Sequence, residues 1–173
     1  MTEVSVILVD EQDRQIGLMK KTEAHKKALL HRAVSVFIFN QKGEWLLHRR
    51  AFGKYHSSGL WTNTCCSHPL PGETTIEAAN RRLNEEMGLQ CKLNELFNFT
   101  YKEPLDNGLT EHEFDHVFSG ISDDIPIINP AEVIEYKYFK YIDLQKDVES
   151  NPGNYTVWFR KIFERVEQVL SAT

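Results

Sequence analysis

Histidine, cysteine and carboxylate side chains gather at three places along this chain, and each gathering suits cation binding or proton transfer. The first comprises His25, His31 and the run Cys66-Ser67-His68. Side chains in an extended segment repeat every two residues, so Cys66 and His68 point to the same side. His25 and His31 are six positions apart. On one continuous helix they would stand about 240° apart, so both reach a common point only if the chain bends between them. The plainer alternative makes each histidine an ordinary surface or core residue.

The second gathering is Glu111-His112-Glu113, in a strand-like segment that continues to Asp115. Both glutamates lie on one face, with Phe114 and Phe118 on the other. Two such carboxylates repel unless a cation sits between them or one keeps its proton. The alternative is the solvated outer face of an edge strand. The third is Arg81-Arg82-Leu83-Asn84-Glu85-Glu86, near the C-terminal end of an expected helix. Two acids there oppose the helix dipole, which a bound cation would explain. The alternative is a charged face with an Arg82–Glu86 pair.

The elements that carry these residues are partly legible. Residues 4–9, 33–40 and 45–50 read as strands, the last two joined by a hairpin through Gln41-Lys42-Gly43-Glu44. Residues 10–15 read as a polar turn, and 60–68 as an extended or irregular stretch. Thr74 and Glu77 form a capping box for a helix over 75–87, with Ile76, Ala79, Leu83 and Met87 on one face and Gly88 as its stop. Residues 96–102 and 111–120 read as further strands. Aromatic-rich 133–143 adds strand content, and 157–170 has helical spacing. The expected class is mixed α/β, in one domain spanning residues 1–173.

Composition narrows the function. The 173 residues carry 20 basic and 25 acidic side chains, a formal charge of −5, so no general attraction to nucleic acid or an anionic membrane surface is expected. Apolar runs reach only strand length. The three cysteines, two of them adjacent, predict free thiols, and the N-terminus shows no apolar signal core. Both point to a cytoplasmic protein.

Glu73, Arg81, Leu83, Glu85, Glu86, Gly88 and Leu89 match the Nudix box. Ser67 stands where its first glycine belongs, and Arg82 replaces a glutamate that binds metal in Nudix hydrolases. Leu29-Leu30-His31-Arg32-Ala33-Val34-Ser35-Val36-Phe37, Trp61-Thr62-Asn63-Thr64-Cys65-Cys66-Ser67-His68-Pro69 and Glu111-His112-Glu113 go further. Over roughly residues 3–165 the chain resembles the type I isopentenyl-diphosphate Δ-isomerases.

That resemblance implies a Nudix-like α/β/α sandwich with a mixed central sheet, and interconversion of isopentenyl and dimethylallyl diphosphate in isoprenoid biosynthesis. It implies proton transfer by Cys66 and Glu113, with Tyr101 beside Glu113. Cys65 and Cys91 take no part. A protein-bound Mn²⁺, Mg²⁺ or Zn²⁺ would have His25, His31, His68, Glu111 and Glu113 as ligands. Lys21, Arg50, Lys54 and Arg82 would grip the diphosphate, and Glu86 would hold a Mg²⁺ arriving with it. Trp61, Tyr101 and Trp158 would surround the five-carbon group. The partner is then a small C5 prenyl diphosphate, and the protein is a monomer or homodimer. Two competitors stand beside this reading: a Nudix diphosphate hydrolase, and a non-catalytic metal-binding or prenyl-diphosphate-sensing domain.

Overall fold

A computed structural model describes residues 2–173. The strands are β1 (Ser5–Val9), β2 (Gln15–Lys20), β3 (His31–Phe39), β4 (Trp45–Arg50), β5 (Trp61–Thr62), β6 (Cys65–Ser67), β7 (Asn94–Pro104), β8 (Thr110–Ile121) and β9 (Val133–Phe139). The helices are α1 (Lys21–Lys26), α2 (Thr75–Met87), α3 (Tyr141–Ser150) and α4 (Val157–Ser171).

All nine strands join one mixed sheet built around β3. Along one edge β3 pairs in parallel with β8 from His31–Glu113 to Phe39–Ile121. Along its other edge it meets β1 at His31, β6 at Val34–Val36 and β4 at Ile38–Phe39. β7 covers the far side of β8, and β9 extends β4.

The two-residue period of β3 sorts the core into layers. Val34, Val36 and Ile38 pack with Ala78, Ala79, Leu83 and Met87 of α2. Phe37 and Phe39 pack with Phe159, Ile162, Phe163 and Val166 of α4 and with Leu144 of α3. The result is an α/β/α sandwich. His31 and Ser35 share the α4-facing side of β3, as do Glu111, Glu113 and Asp115 on β8. The chemistry therefore opens on that face, at the end of the parallel pair.

α2 has the expected bounds and capping box, with Glu77 N–H donating to Thr74 Oγ1 and Thr74 N–H to Glu77 Oε2. Gly88 ends it at φ +65°, and a Cβ there would lie 2.8 Å from the Ile127 carbonyl oxygen. One position differs from the expected stripe: Ile76 is 37% exposed, and Ala78 and Glu86 are buried instead.

Other departures have local causes. The polar turn expected over 10–15 is present; β2, which begins at Gln15 on the sheet edge, and α1, too short to show periodicity, follow it at positions that carry no expectation from sequence. The strand expected over 133–143 ends at Phe139. Lys140 caps a helix instead, one whose aromatic Tyr141 had made it look like strand. β8 is an interior strand between β3 and β7, so Glu111 and Glu113 are buried, against the edge-strand alternative. Among the described residues no helix is long and apolar enough to cross a membrane.

Candidate active site

The bend required between His25 and His31 is present. α1 ends at Lys26, Ala28 takes φ +54°, and β3 begins at His31. One donor atom each from His25, His31, His68, Glu111 and Glu113 lies within 4.8 Å of the others. His25 Nδ1 donates to the Lys21 carbonyl (2.7 Å) and His31 Nδ1 to the Leu29 carbonyl (2.9 Å). A carbonyl can only accept, so each Nδ1 carries a proton and each Nε2 points inward, where the neutral form of the ring offers a lone pair.

His25 Nε2 then faces Glu111 Oε1 at 3.2 Å, while His68 Nε2 lies 3.2 Å and His31 Nε2 3.7 Å from Glu113 Oε1. His31 Nε2 and Glu111 Oε2 are buried without any hydrogen-bond partner. Converging lone pairs on two acids and three imidazoles are what a divalent cation satisfies, and the donor set suits Mn²⁺, Mg²⁺ or Zn²⁺. The residues present fit a metal.

Burial governs the charges here. It pushes His31 down to about 4 and His68 well below the usual histidine value. Burial and the adjacent Glu111 charge push Glu113 well above the ordinary carboxylate range. Glu111 is also desolvated, yet hydrogen bonds from Glu113 and His56 hold it low.

Beside this cluster a cavity of about 200 Å³ is lined by Cys66, Tyr101, Glu113, Trp158, Arg50 and Lys54, among others. Cys66 faces it because β6 pairs with β3 at Ser35, on the α4 side; burial pushes its thiol up to about 12. Tyr101 is the register partner of Glu113 across β7–β8, and burial raises its hydroxyl well above the tyrosine range. Trp158 Nε1–H is buried without an acceptor. Trp61 is not brought into this group: it lies outside the lining and packs edge-on against Phe139 at 5.8 Å. The sequence places it on the strand before Cys66, but β5 turns its ring away.

The cations converge on the cavity mouth. Lys21, Arg50, Lys54 and Arg82 all line it. Arg50 lies 5.2 Å over the Trp158 ring and donates to the Ser57 and His56 carbonyls. Arg82 bridges Glu86 (2.6 Å), Glu85 (2.6 Å) and Glu132 (3.4 Å), and Lys54 reaches Glu132 at 2.5 Å. Glu86 is buried behind Arg82, and burial raises its carboxyl. Glu73 and Arg81 form a two-point pair at 2.7 and 2.9 Å that braces the start of α2.

Four residues at this site carry no expectation from sequence: Tyr55, His56, Asp115 and Glu132. Tyr55, His56 and Glu132 sit on loops with no periodic pattern. Asp115 was visible as the third same-face acid of β8. It accepts from Ser35 Oγ at 2.7 Å, and burial pushes it up to about 7.

The NUDIX domain family matches residues 29–159. Isopentenyl-diphosphate Delta-isomerase from Pectobacterium atrosepticum is 53% identical over 161 residues, covering 93% of this chain and 90% of that protein. The chain belongs to the isopentenyl-diphosphate Delta-isomerase family. Isopentenyl-diphosphate Delta-isomerase 2 from Aromatoleum aromaticum is 48% identical over 164 residues, covering 95% of this chain and 87% of its own length. The fold is shared more widely. The structure of DR0079 from Deinococcus radiodurans superposes with a TM-score of 0.70 at 22% identity, covering 84% of this chain and 89% of that one. Arg82, which stands where the Nudix box has a glutamate, here lines the cavity and pairs with Glu86.

Proposed function

We propose that the protein interconverts isopentenyl and dimethylallyl diphosphate. The observation that carries this reading is one cavity lined by a half-buried thiol, a buried carboxyl and four cationic side chains. Family membership supports the same activity.

The reaction adds a proton to the terminal alkene carbon, generating a tertiary carbocation, and removes one from the carbon on its other side. Glu113, assisted by Tyr101, delivers the first proton; Cys66 takes the second. In the reverse direction the two exchange roles, so one proton enters and one leaves per turnover. Water would capture the cation, and the buried rings of Tyr101 and Trp158 keep it out. The ring faces of Tyr101 and Trp158 stabilise the cation by about 2 kcal/mol when dry. Lys21, Arg50, Lys54 and Arg82 hold the diphosphate, Arg82 and Arg50 by two-point contact.

His25, His31, His68, Glu111 and Glu113 would hold a divalent ion whose charge lets both carboxylates stay close, and Glu86 would hold a Mg²⁺ accompanying the diphosphate. The enzyme is cytoplasmic on this reading, with Cys65, Cys66 and Cys91 as free thiols.

Diphosphate hydrolysis is the weaker alternative: it would keep Glu85 and Glu86 but leave Cys66 and Tyr101 idle. Incubation with isopentenyl diphosphate, Mn²⁺ and Mg²⁺ in D₂O, followed by NMR, separates the two. Deuterated dimethylallyl diphosphate supports isomerisation. Isopentenyl monophosphate or free phosphate means hydrolysis, and unchanged substrate sinks both.

A further inference from the structure

His56 lies on the loop between β4 and β5 and is 5% exposed. Ser57 beside it takes φ +50°, a left-handed conformation that a non-glycine residue adopts only when its surroundings enforce it. The turn sends the imidazole inward. His56 Nε2 lies 3.1 Å from Glu111 Oε1, and His56 Nδ1 lies 3.1 Å from Ser57 Oγ. The ring stands edge-on to Trp158, 5.7 Å between centroids at 88°. Its backbone carbonyl accepts from Arg50.

Two rings approach Glu111 Oε1, and they differ in what they offer. In a neutral, metal-ligating His25 the one proton is committed to the Lys21 carbonyl through Nδ1, so Nε2 has none to donate. His56 Nδ1 faces a hydroxyl able to donate to it, which leaves the proton on Nε2, aimed at the carboxylate. Oε1 can accept that proton with one lone pair. Its second lone pair, together with the partnerless Oε2, remains for a cation.

We propose that His56 is a positioning residue for the metal centre, its Nε2–H holding the Glu111 carboxylate in the orientation that a bound ion requires. The inference rests on the metal-binding reading of His25, His31, His68, Glu111 and Glu113. It extends that centre by a hydrogen-bonded partner carried on the same loop as the phosphate-gripping Lys54. An outer partner of this kind sets how tightly its ligand holds the ion.

The test uses full-length protein loaded with Mn²⁺ and follows release of Mn²⁺ into excess EDTA. His56→Phe keeps an aromatic ring against Trp158 but has no donor, whereas His56→Gln places an N–H near the original Nε2. His56→Phe is expected to release Mn²⁺ at least ~10-fold faster than wild type, and His56→Gln to stay within about threefold of it. Wild-type release from His56→Phe overturns the inference, because packing alone then suffices. Equally fast release from His56→Gln and His56→Phe also overturns it, because restoring the donor restores nothing. If the wild type takes up no Mn²⁺, the metal reading falls and the inference with it; the first two failures leave the metal reading intact.

Discussion

His31 and Glu113 are direct partners across the parallel β3–β8 pair, with His31 Nε2 3.7 Å from Glu113 Oε1. The backbone ladder thus fixes a nitrogen donor against an oxygen donor from positions far apart in sequence. It also sets Glu113 on the same face as Glu111, so two buried acids lie side by side in the cluster.

A cation should therefore stabilise the fold. After EDTA treatment, adding Mn²⁺ to about 100 times its dissociation constant is expected to contribute about 2.7 kcal/mol, or roughly 5–10 °C in Tm. The gain should shrink in His31→Ala. A melting curve that ignores Mn²⁺, Mg²⁺ and Zn²⁺ alike removes the metal from this cluster.

Cys66→Ala and Glu113→Gln should each lower kcat by about 10²–10⁴-fold or more, the scale of a lost acid or base. Cys66 packs on the edge of the core and Glu113 at its buried margin, so circular dichroism should stay native. Near-normal turnover by either purified variant rejects the role given to that residue.

Arg82 both lines the cavity and pairs with buried Glu86, so its removal should have two separable effects. Arg82→Ala should raise KM for the diphosphate on the order of tenfold through loss of a charge-assisted contact. It also strands Glu86, buried and paired at 2.6 Å, and should cost stability on the order of 3 kcal/mol. Glu86→Gln combined with Arg82→Ala should recover much of that stability but not the KM. An unchanged KM in Arg82→Ala takes this residue out of the phosphate grip.

Acid sensitivity has a source outside the active site. His48 is buried on β4, its Nδ1 donates to the Thr64 carbonyl at 2.8 Å, and burial pushes it down to about 4. The unfolded chain binds this proton near pH 6.5, so the folded state is favoured above that pH and loses stability as the pH falls towards 4. The loss attributable to His48 is about 3 kcal/mol. Urea unfolding of metal-free wild type and His48→Asn should show this difference between pH 7 and pH 4, with the wild type falling further. Parallel pH profiles would mean that His48 titrates alike folded and unfolded.

Near neighbours were enough to determine several elements from the sequence alone. A hydroxyl and a carboxylate three residues apart cap α2, a left-handed glycine ends it, and Gly43 closes the β3–β4 turn. α4 follows from its apolar spacing. The two-residue period likewise sufficed to put Cys66 and His68 on one side, and Glu111 with Glu113 on one face. Each of these depends on residues a few positions apart, whose relative directions the backbone period fixes.

The tertiary structure alone decided what those faces meet. That β8 lies between β3 and β7 turned a charge pattern compatible with a wet edge into a buried acidic pair. That α1 stops after six residues brought His25 back towards His31. β5 turned Trp61 towards Phe139, and the β4–β5 loop brought His56 to Glu111. These relations join residues up to 86 positions apart, as His25 and Glu111 are. Strand order and loop path set them, and no local period encodes either.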